Sequence, residues 1–159
     1  MTAMKLGRLD AEISGARLVL AGRIDDSAGA LGDLVGQLPA GNVVIDTSAV
    51  TFVNSIGMRE WMRLTRALRE RGTVTFERVA DVLITQMNLI PEFKGVEVAS
   101  FHAQYLCPAC GNEATPLIEV ATYGAELRAM KAPKLPCPEC GSAMDLGDFP
   151  ERYLSLFRG

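Results

Sequence analysis

A chain of 159 residues that is 48% apolar and 22% charged has the composition of a soluble globular protein, with room for one domain and a small appendage. A formal net charge of -3 excludes a general electrostatic attraction for nucleic acid or anionic lipid. No uncharged apolar run reaches the roughly 18 residues of a membrane span, and the opening MTAMKLGRLDAEIS lacks the apolar centre of a signal peptide, so the expected compartment is the cytoplasm with no membrane contact.

In chain order, EISGARLVLAGRI at residues 12–24 reads as two strand pieces broken at Ser14-Gly15, a hairpin at a sheet edge. Asp25, Asp26 and Ser27 are capping types, and Leu31, Leu34, Val35 and Leu38 follow helical spacing until Pro39 stops it. Val43, Val44 and Ile45 form a β-branched run that predicts a strand covered on both faces by helices. A tight loop then ends in Asn54-Ser55-Ile56-Gly57. Beyond it Met58, Trp61, Met62, Thr65 and Leu68 share one helix face, while Arg59, Arg63, Arg66 and Arg69 fall elsewhere. Ser55 is the expected N-cap of this helix, and Gly72 its expected end, with a positive φ. Residues 73–76 predict a strand. Val79, Val82, Leu83, Met87 and Ile90 predict a third helix with Asp81 in its first turn and Pro91 closing it, and residues 96–98 a last strand. The predicted fold class is α/β, a mixed sheet with helices packed on it.

The stretch from Asp46 through Asn54-Ser55-Ile56-Gly57 to Glu70 resembles the signature of STAS domains, the fold of bacterial anti-sigma factor antagonists. There a hydrophobic strand leads to an Asp-Ser-x-Gly loop capping the second helix. The resemblance covers roughly residues 8–99. It implies that Ser55 is phosphorylated by a partner-switching serine kinase that is also the anti-sigma factor. It also implies that Asn54, Ile56, Gly57, Arg59 and Arg63 belong to the partner-binding surface. The chain departs from the pattern at Asn54, where the family most often has Asp. The plainer reading of Ser55 is a capping hydroxyl, and that of the arginines a solvated helix face. Trp61, Met58, Met62 and Met87 read as core.

All four cysteines lie beyond residue 100, in the pairs CPACG and CPECG. This shift predicts two modules, a STAS-like domain at 1–100 and a zinc-ribbon-like domain at 101–159 with a short C-terminal helix. Each CPxCG segment resembles a zinc knuckle, in which the glycine permits a left-handed turn. Cys107, Cys110, Cys137 and Cys140 would complete a tetrahedral Zn2+ site with no open position, hence a structural one. Iron is the alternative ion for such a donor set. His102 then has no ligand role. The 26 residues between Cys110 and Cys137 predict an elongated hairpin between the knuckles, and Tyr153, Leu154 and Phe157 a helix face that docks on the ribbon or on a partner. Residues 101–159 carry five Lys and Arg against seven Asp and Glu, which favours protein over nucleic acid as the ribbon's contact. A redox role for the CxxC pairs is the weaker alternative.

No convergent acid, base or nucleophile is present, so the expected function is non-enzymatic. Two readings compete: a regulatory module that switches partners through the Ser55 loop, and a non-switching scaffold or oligomerisation protein whose zinc ribbon makes the main contact.

Overall fold

The structure is a computed structural model describing all residues 1–159. Six strands form the principal sheet: β1 (Thr2–Leu6), β2 (Leu9–Ser14), β3 (Arg17–Ile24), β4 (Val43–Val53), β5 (Val74–Glu77) and β6 (Glu97–Val98). They lie in sequence order, with β1–β2 and β2–β3 antiparallel and the remaining pairs parallel. The sheet is therefore mixed and carries helices, as predicted. The hairpin of residues 12–24 is present as β2–β3 but is not the sheet edge, because β1 pairs outside it. TAMKL, short and only weakly alternating, gave no strand signal.

Because the strand order advances steadily from β3 to β6, right-handed crossovers put every connecting helix on one face. Burial follows that rule: Val43 and Ile45 are buried while Val44 between them is half-buried, so the expected cover on both faces is corrected to one. The first crossover is a 3-10 turn at Leu31–Gln37, not an α-helix. Gly32 and Gly36 weaken α-helix there, and the Arg63 guanidinium lies close against Gly32. The second crossover is α1 (Ser55–Arg71), which buries Met58, Trp61, Leu64, Thr65 and Leu68. Trp61 packs on Phe76 at 5.7 Å between ring centroids, and Phe76 on Phe93 at 6.3 Å. The third is α2 (Asp81–Met87), shorter than its apolar pattern implied, with Pro91 opening a 3-10 turn at Pro91–Phe93.

Two backbone expectations change. Gly72 has φ 167°, which is extended backbone. It is required by space, since a side chain there would strike the Gly41 carbonyl. The strand before α1 runs to Val53, so the anticipated loop shrinks to the single residue Asn54. A bulge near Thr47 and Ser48 interrupts the β3–β4 register, and Asp46 Oδ1 accepts the Ser48 N–H there at 2.9 Å.

Beyond β6 the chain forms β7 (Ser100–His102), β8 (Tyr105–Leu106), β9 (Glu113–Ala114), β10 (Leu117–Glu119), α3 (Val120–Arg128), β11 (Leu135–Pro136), β12 (Ala143–Leu146) and α4 (Pro150–Leu154). A small antiparallel sheet has the order β11-β12-β8-β9, and β10 pairs with β7. The elongated hairpin expected between the knuckles is replaced by β9, β10 and α3. The helix was hidden by Tyr123, which leaves helical geometry, and by Gly124 beside it. The C-terminal helix exists and docks within the chain: Tyr153 and Leu154 are buried, Phe157 stacks on Phe101 at 5.2 Å, and Leu156 N–H donates to Asn88 Oδ1 at 2.9 Å. One cluster of 38 buried residues, from Leu9 to Leu156, spans both parts, so the cysteine-bearing sheet and the principal sheet share a continuous core.

Candidate regulatory surface and metal centre

At the end of β4, Asn54 has extended backbone (φ -119°, ψ 178°) and its Oδ1 accepts the Gly57 N–H at 2.9 Å. Asn54 is thus the N-cap of α1, which corrects the assignment of that role to Ser55. Polar side chains at both positions made the sequence ambiguous, and the three-residue step from Asn54 to Gly57 is the geometry a cap requires. Ser55 is the first helical residue, exposed, with no hydrogen bond from its hydroxyl. Gly57 presses on the end of β3, where any side chain would collide with the Ile24 carbonyl. That contact, with Asn54 N–H donating to Ile24 O at 3.2 Å, locks the start of α1 to the sheet.

Around Ser55 the surface has two further features. Ile56 is 49% exposed, a large apolar side chain in water. Arg59, one turn on, is exposed and makes no ion pair, unlike Arg63 and Arg66. Arg63 bridges Glu60 at 2.8 Å and Asp33 at 3.0 Å. Arg66 grips Glu92, Nε to Oε2 at 2.9 Å; Arg69 donates to the Glu92 carbonyl at 3.2 Å; Arg71 donates to the Leu38 carbonyl at 2.7 Å. These arginines fasten α1 to the flanking turns. Arg63 lies on that stapled side of the helix, while Asn54, Ser55, Ile56 and Arg59 cluster at its start.

Two buried carboxylates lie at separate places on the sheet, Asp25 just beyond β3 beside the start of α1 and Asp46 in β4 opposite Val19 and Glu77. Asp25 accepts the Ser27 hydroxyl at 2.6 Å and the Ser27 N–H at 2.9 Å, and it is paired with Arg23 at 3.1 Å and Arg8 at 3.2 Å. The Ser27 hydroxyl is the largest influence holding its pKa below the ordinary value. At Asp46 burial acts to raise the pKa, but the Ser48 N–H and the Arg78 guanidinium outweigh it and the net shift is downward. Arg17 completes this group, reaching Asp46 at 3.1 Å and Glu77 at 2.8 Å. Both carboxylates are neutralised by arginine, so neither is poised as a base.

The four cysteines converge. Their Sγ atoms all lie within 4.8 Å of one another, with Cys107–Cys140 at 3.5 Å and Cys110–Cys137 at 3.7 Å. A tetrahedron with bonds of about 2.3 Å has edges of about 3.8 Å, so the donor set fits a closed four-thiolate metal site. Two equivalent turns build it. Cys107 N–H donates to Asn112 O at 2.9 Å and Gly111 N–H to Cys107 O at 2.8 Å; Cys137 N–H donates to Ser142 O at 2.7 Å and Gly141 N–H to Cys137 O at 2.9 Å. Gly111 and Gly141 have φ 79° and 77° with open space beside them, so they serve the left-handed turn alone. Asn112 and Ser142 were not singled out from sequence, although each follows a CPxCG segment.

Backbone N–H groups favour thiolate at this centre. The Ser142 N–H draws Cys140 down to about 6, and the Cys140 N–H lowers Cys137. Four sulfurs this close repel as anions, so Cys110, despite the Asn112 N–H, is pushed up to about 12 by burial and its neighbours. A divalent cation removes that conflict. Cys107 and Cys137 are buried and Cys110 and Cys140 exposed, and with four protein donors no position is left for substrate. His102 is no part of it: Nδ1–H donates to Thr115 O at 2.8 Å, just before β10, which pairs with β7.

The chain matches no protein-family model and no curated protein. No helix is long and apolar enough to cross a membrane.

Proposed function

We propose that this chain is a non-enzymatic, protein-binding regulator of the STAS type, switching partners through the chemical state of Ser55, with a structural Zn2+ at the four cysteines. The observation that carries the reading is the division of labour at the start of α1: Asn54 caps the helix, and the Ser55 hydroxyl is left exposed and unengaged. A phosphate on Ser55 would meet free N–H groups and the positive end of the helix, so the segment stays folded while its surface becomes anionic. Arg59 is the nearest unpaired cation on the same helix. Unmodified, the surface offers Ile56 and Arg59 to an acidic, apolar-bearing partner, by the resemblance a protein of the anti-sigma factor and serine kinase type.

Co-purification from native lysate, with mass spectrometry of both the captured protein and Ser55, tests this reading. Ser55→Asp is expected to abolish capture and Ser55→Ala to preserve it. Equal capture by both variants sinks the switch.

One observation favours the scaffold reading instead. Leu106 and Phe149, in and beside the cysteine-bearing sheet, are 45% and 73% exposed, apolar surface that a protein contact would cover. Under that reading Leu106→Ser with Phe149→Ser removes capture while both Ser55 variants retain it.

A further inference from the structure

We infer that two copies of this chain associate edge to edge through β1, antiparallel about a two-fold axis at Met4. β1 ends the principal sheet and is paired on one side only, in unbroken register from Thr2↔Ile13 to Leu6↔Leu9. Its hairpin to β2 turns on the two residues Gly7 and Arg8, with Gly7 at φ 64°, the first central position of a type II′ turn. In such a hairpin the closing pair Leu6↔Leu9 exchanges both hydrogen bonds, and alternate pairs do likewise. Met4 and Thr2 therefore face β2 with their backbone groups, and the N–H and C=O of Ala3 and Lys5 point outward. No turn, cap or loop bonds those outward groups.

Edges of this kind are normally blocked by proline, a bulge, or inward-facing charge. β1 has no proline or bulge, and its one charge, Lys5, is drawn sideways to Asp10 at 3.0 Å. The strand is thus a template of five residues closed by neither proline nor bulge, with Lys5 as its one edge charge, and its own sequence answers it. With the axis at Met4, each Ala3 faces Lys5 of the second copy, and every outward N–H and C=O of Ala3 and Lys5 is satisfied. An axis at Lys5 would oppose two like charges and is disfavoured.

Side chains agree with that register on both faces. On the helix-bearing face Met4 meets Met4, and Leu6 meets Thr2. On the open face the row across the junction reads Glu12, Ala3, then Lys5 and Asp10 of the second copy, since Ala3↔Glu12 and Lys5↔Asp10 are partners within each hairpin. Glu12 is exposed and forms no ion pair in the single chain. Ala3 is small, and beside it lies a shallow depression of about 470 Å3 bordered by Lys5, Asp10, Glu12, Val19 and Ala21. The second copy's Lys5, shared between its own Asp10 and this Glu12 across Ala3, gives the unpaired carboxylate a cation, and that charge complementarity selects a second copy as occupant. β2 and β3 stand between β1 and β4, which leaves the Ser55 surface free in the pair.

Sedimentation equilibrium of the full chain over a range of concentrations tests this. The wild type is expected to rise from the monomer mass toward twice that value. Ala3→Pro removes one N–H that points away from β2, so the hairpin ladder survives, and this variant is expected to remain monomeric with an unchanged circular dichroism spectrum. Glu12→Lys, a solvent-facing change in the monomer, is expected to weaken association about tenfold or more. A wild type that stays monomeric throughout, or an Ala3→Pro chain that dimerises as the wild type does, overturns the inference. Should Ala3→Pro fail to fold, Glu12→Lys decides alone, and unchanged association in it overturns the inference.

Discussion

Asn54 accepts the Gly57 N–H at 2.9 Å, and its neighbour Ser55 holds nothing. Replacing the cap is therefore expected to cost stability where replacing the serine does not: Asn54→Ala should lose about 1 kcal/mol, and Asn54→Asp, which keeps the acceptor, should not. Urea unfolding of the two variants beside Ser55→Ala measures this. Equal losses at Asn54 and Ser55 would contradict the cap assignment. Asp46 supplies a pH dependence whose sign follows from its depressed pKa. The folded carboxylate binds its proton less readily than the unfolded one, so its stabilisation is present above the ordinary value near 3.8 and disappears as pH falls through the lower folded value. Asp46→Asn should flatten that acid limb of a stability-against-pH curve and also lower stability at neutral pH, because Arg17 and Arg78 lose their shared partner. At this scale the sequence placed the cap on Ser55, one residue beyond Asn54, which holds it. Either side chain can cap, and only the strand's exit angle decides which one does.

Among the elements, α1 and the knuckles were legible in the sequence for the same reason. Both are governed by local spacing: the helical period from Met58 to Leu68, and a cysteine turn repeated intact. β1, the 3-10 turn at Leu31–Gln37 and α3 were not: β1 is short and only weakly alternating, and the other two are interrupted by glycine. The repeated turn makes a specific prediction. Gly111→Ala and Gly141→Ala each force a side chain into left-handed backbone at a cost of roughly 1 kcal/mol or more, and both should weaken zinc binding by a similar factor, since the two turns have matching hydrogen bonds. Competition with a chromophoric chelator reads the two affinities. A loss confined to one glycine would show that the halves of the site are not equivalent. Acid should also release the metal, because thiolate ligands compete with protons.

For the molecule as a whole, the composition break near residue 100 marks where the cysteines begin, but buried packing continues across it. Phe101 is fully buried and stacks on Phe157, Val79 bridges Phe101, and Asn88 at the end of α2 receives Leu156 N–H. None of these pairings is local, which is why the sequence suggested a C-terminal helix docking on the ribbon or on a partner without naming Asn88 or Phe101 as its contacts. Trp61, the single tryptophan, sits against Phe76 in the principal core and reports on that core alone. Stripping the metal from the cysteines is therefore expected to lower the midpoint of the Trp61 fluorescence transition, and Phe101→Ala to destabilise the same transition by about 3–5 kcal/mol. A Trp61 signal indifferent to both would mean that the two parts fold without reference to each other.

The stacking of Phe157 on Phe101 also bears on how the protein is made. As the polypeptide leaves the ribosome, the principal sheet can assemble with the cysteine segment still emerging, yet the Phe101 ring in β7 lacks its stacking partner until Phe157 arrives to cover it. During that interval the nascent protein displays a sticky surface, and chaperones that bind apolar segments should linger on arrested chains in which Phe157 is still inside the ribosome and depart from those in which an added C-terminal extension carries Phe157 clear of it.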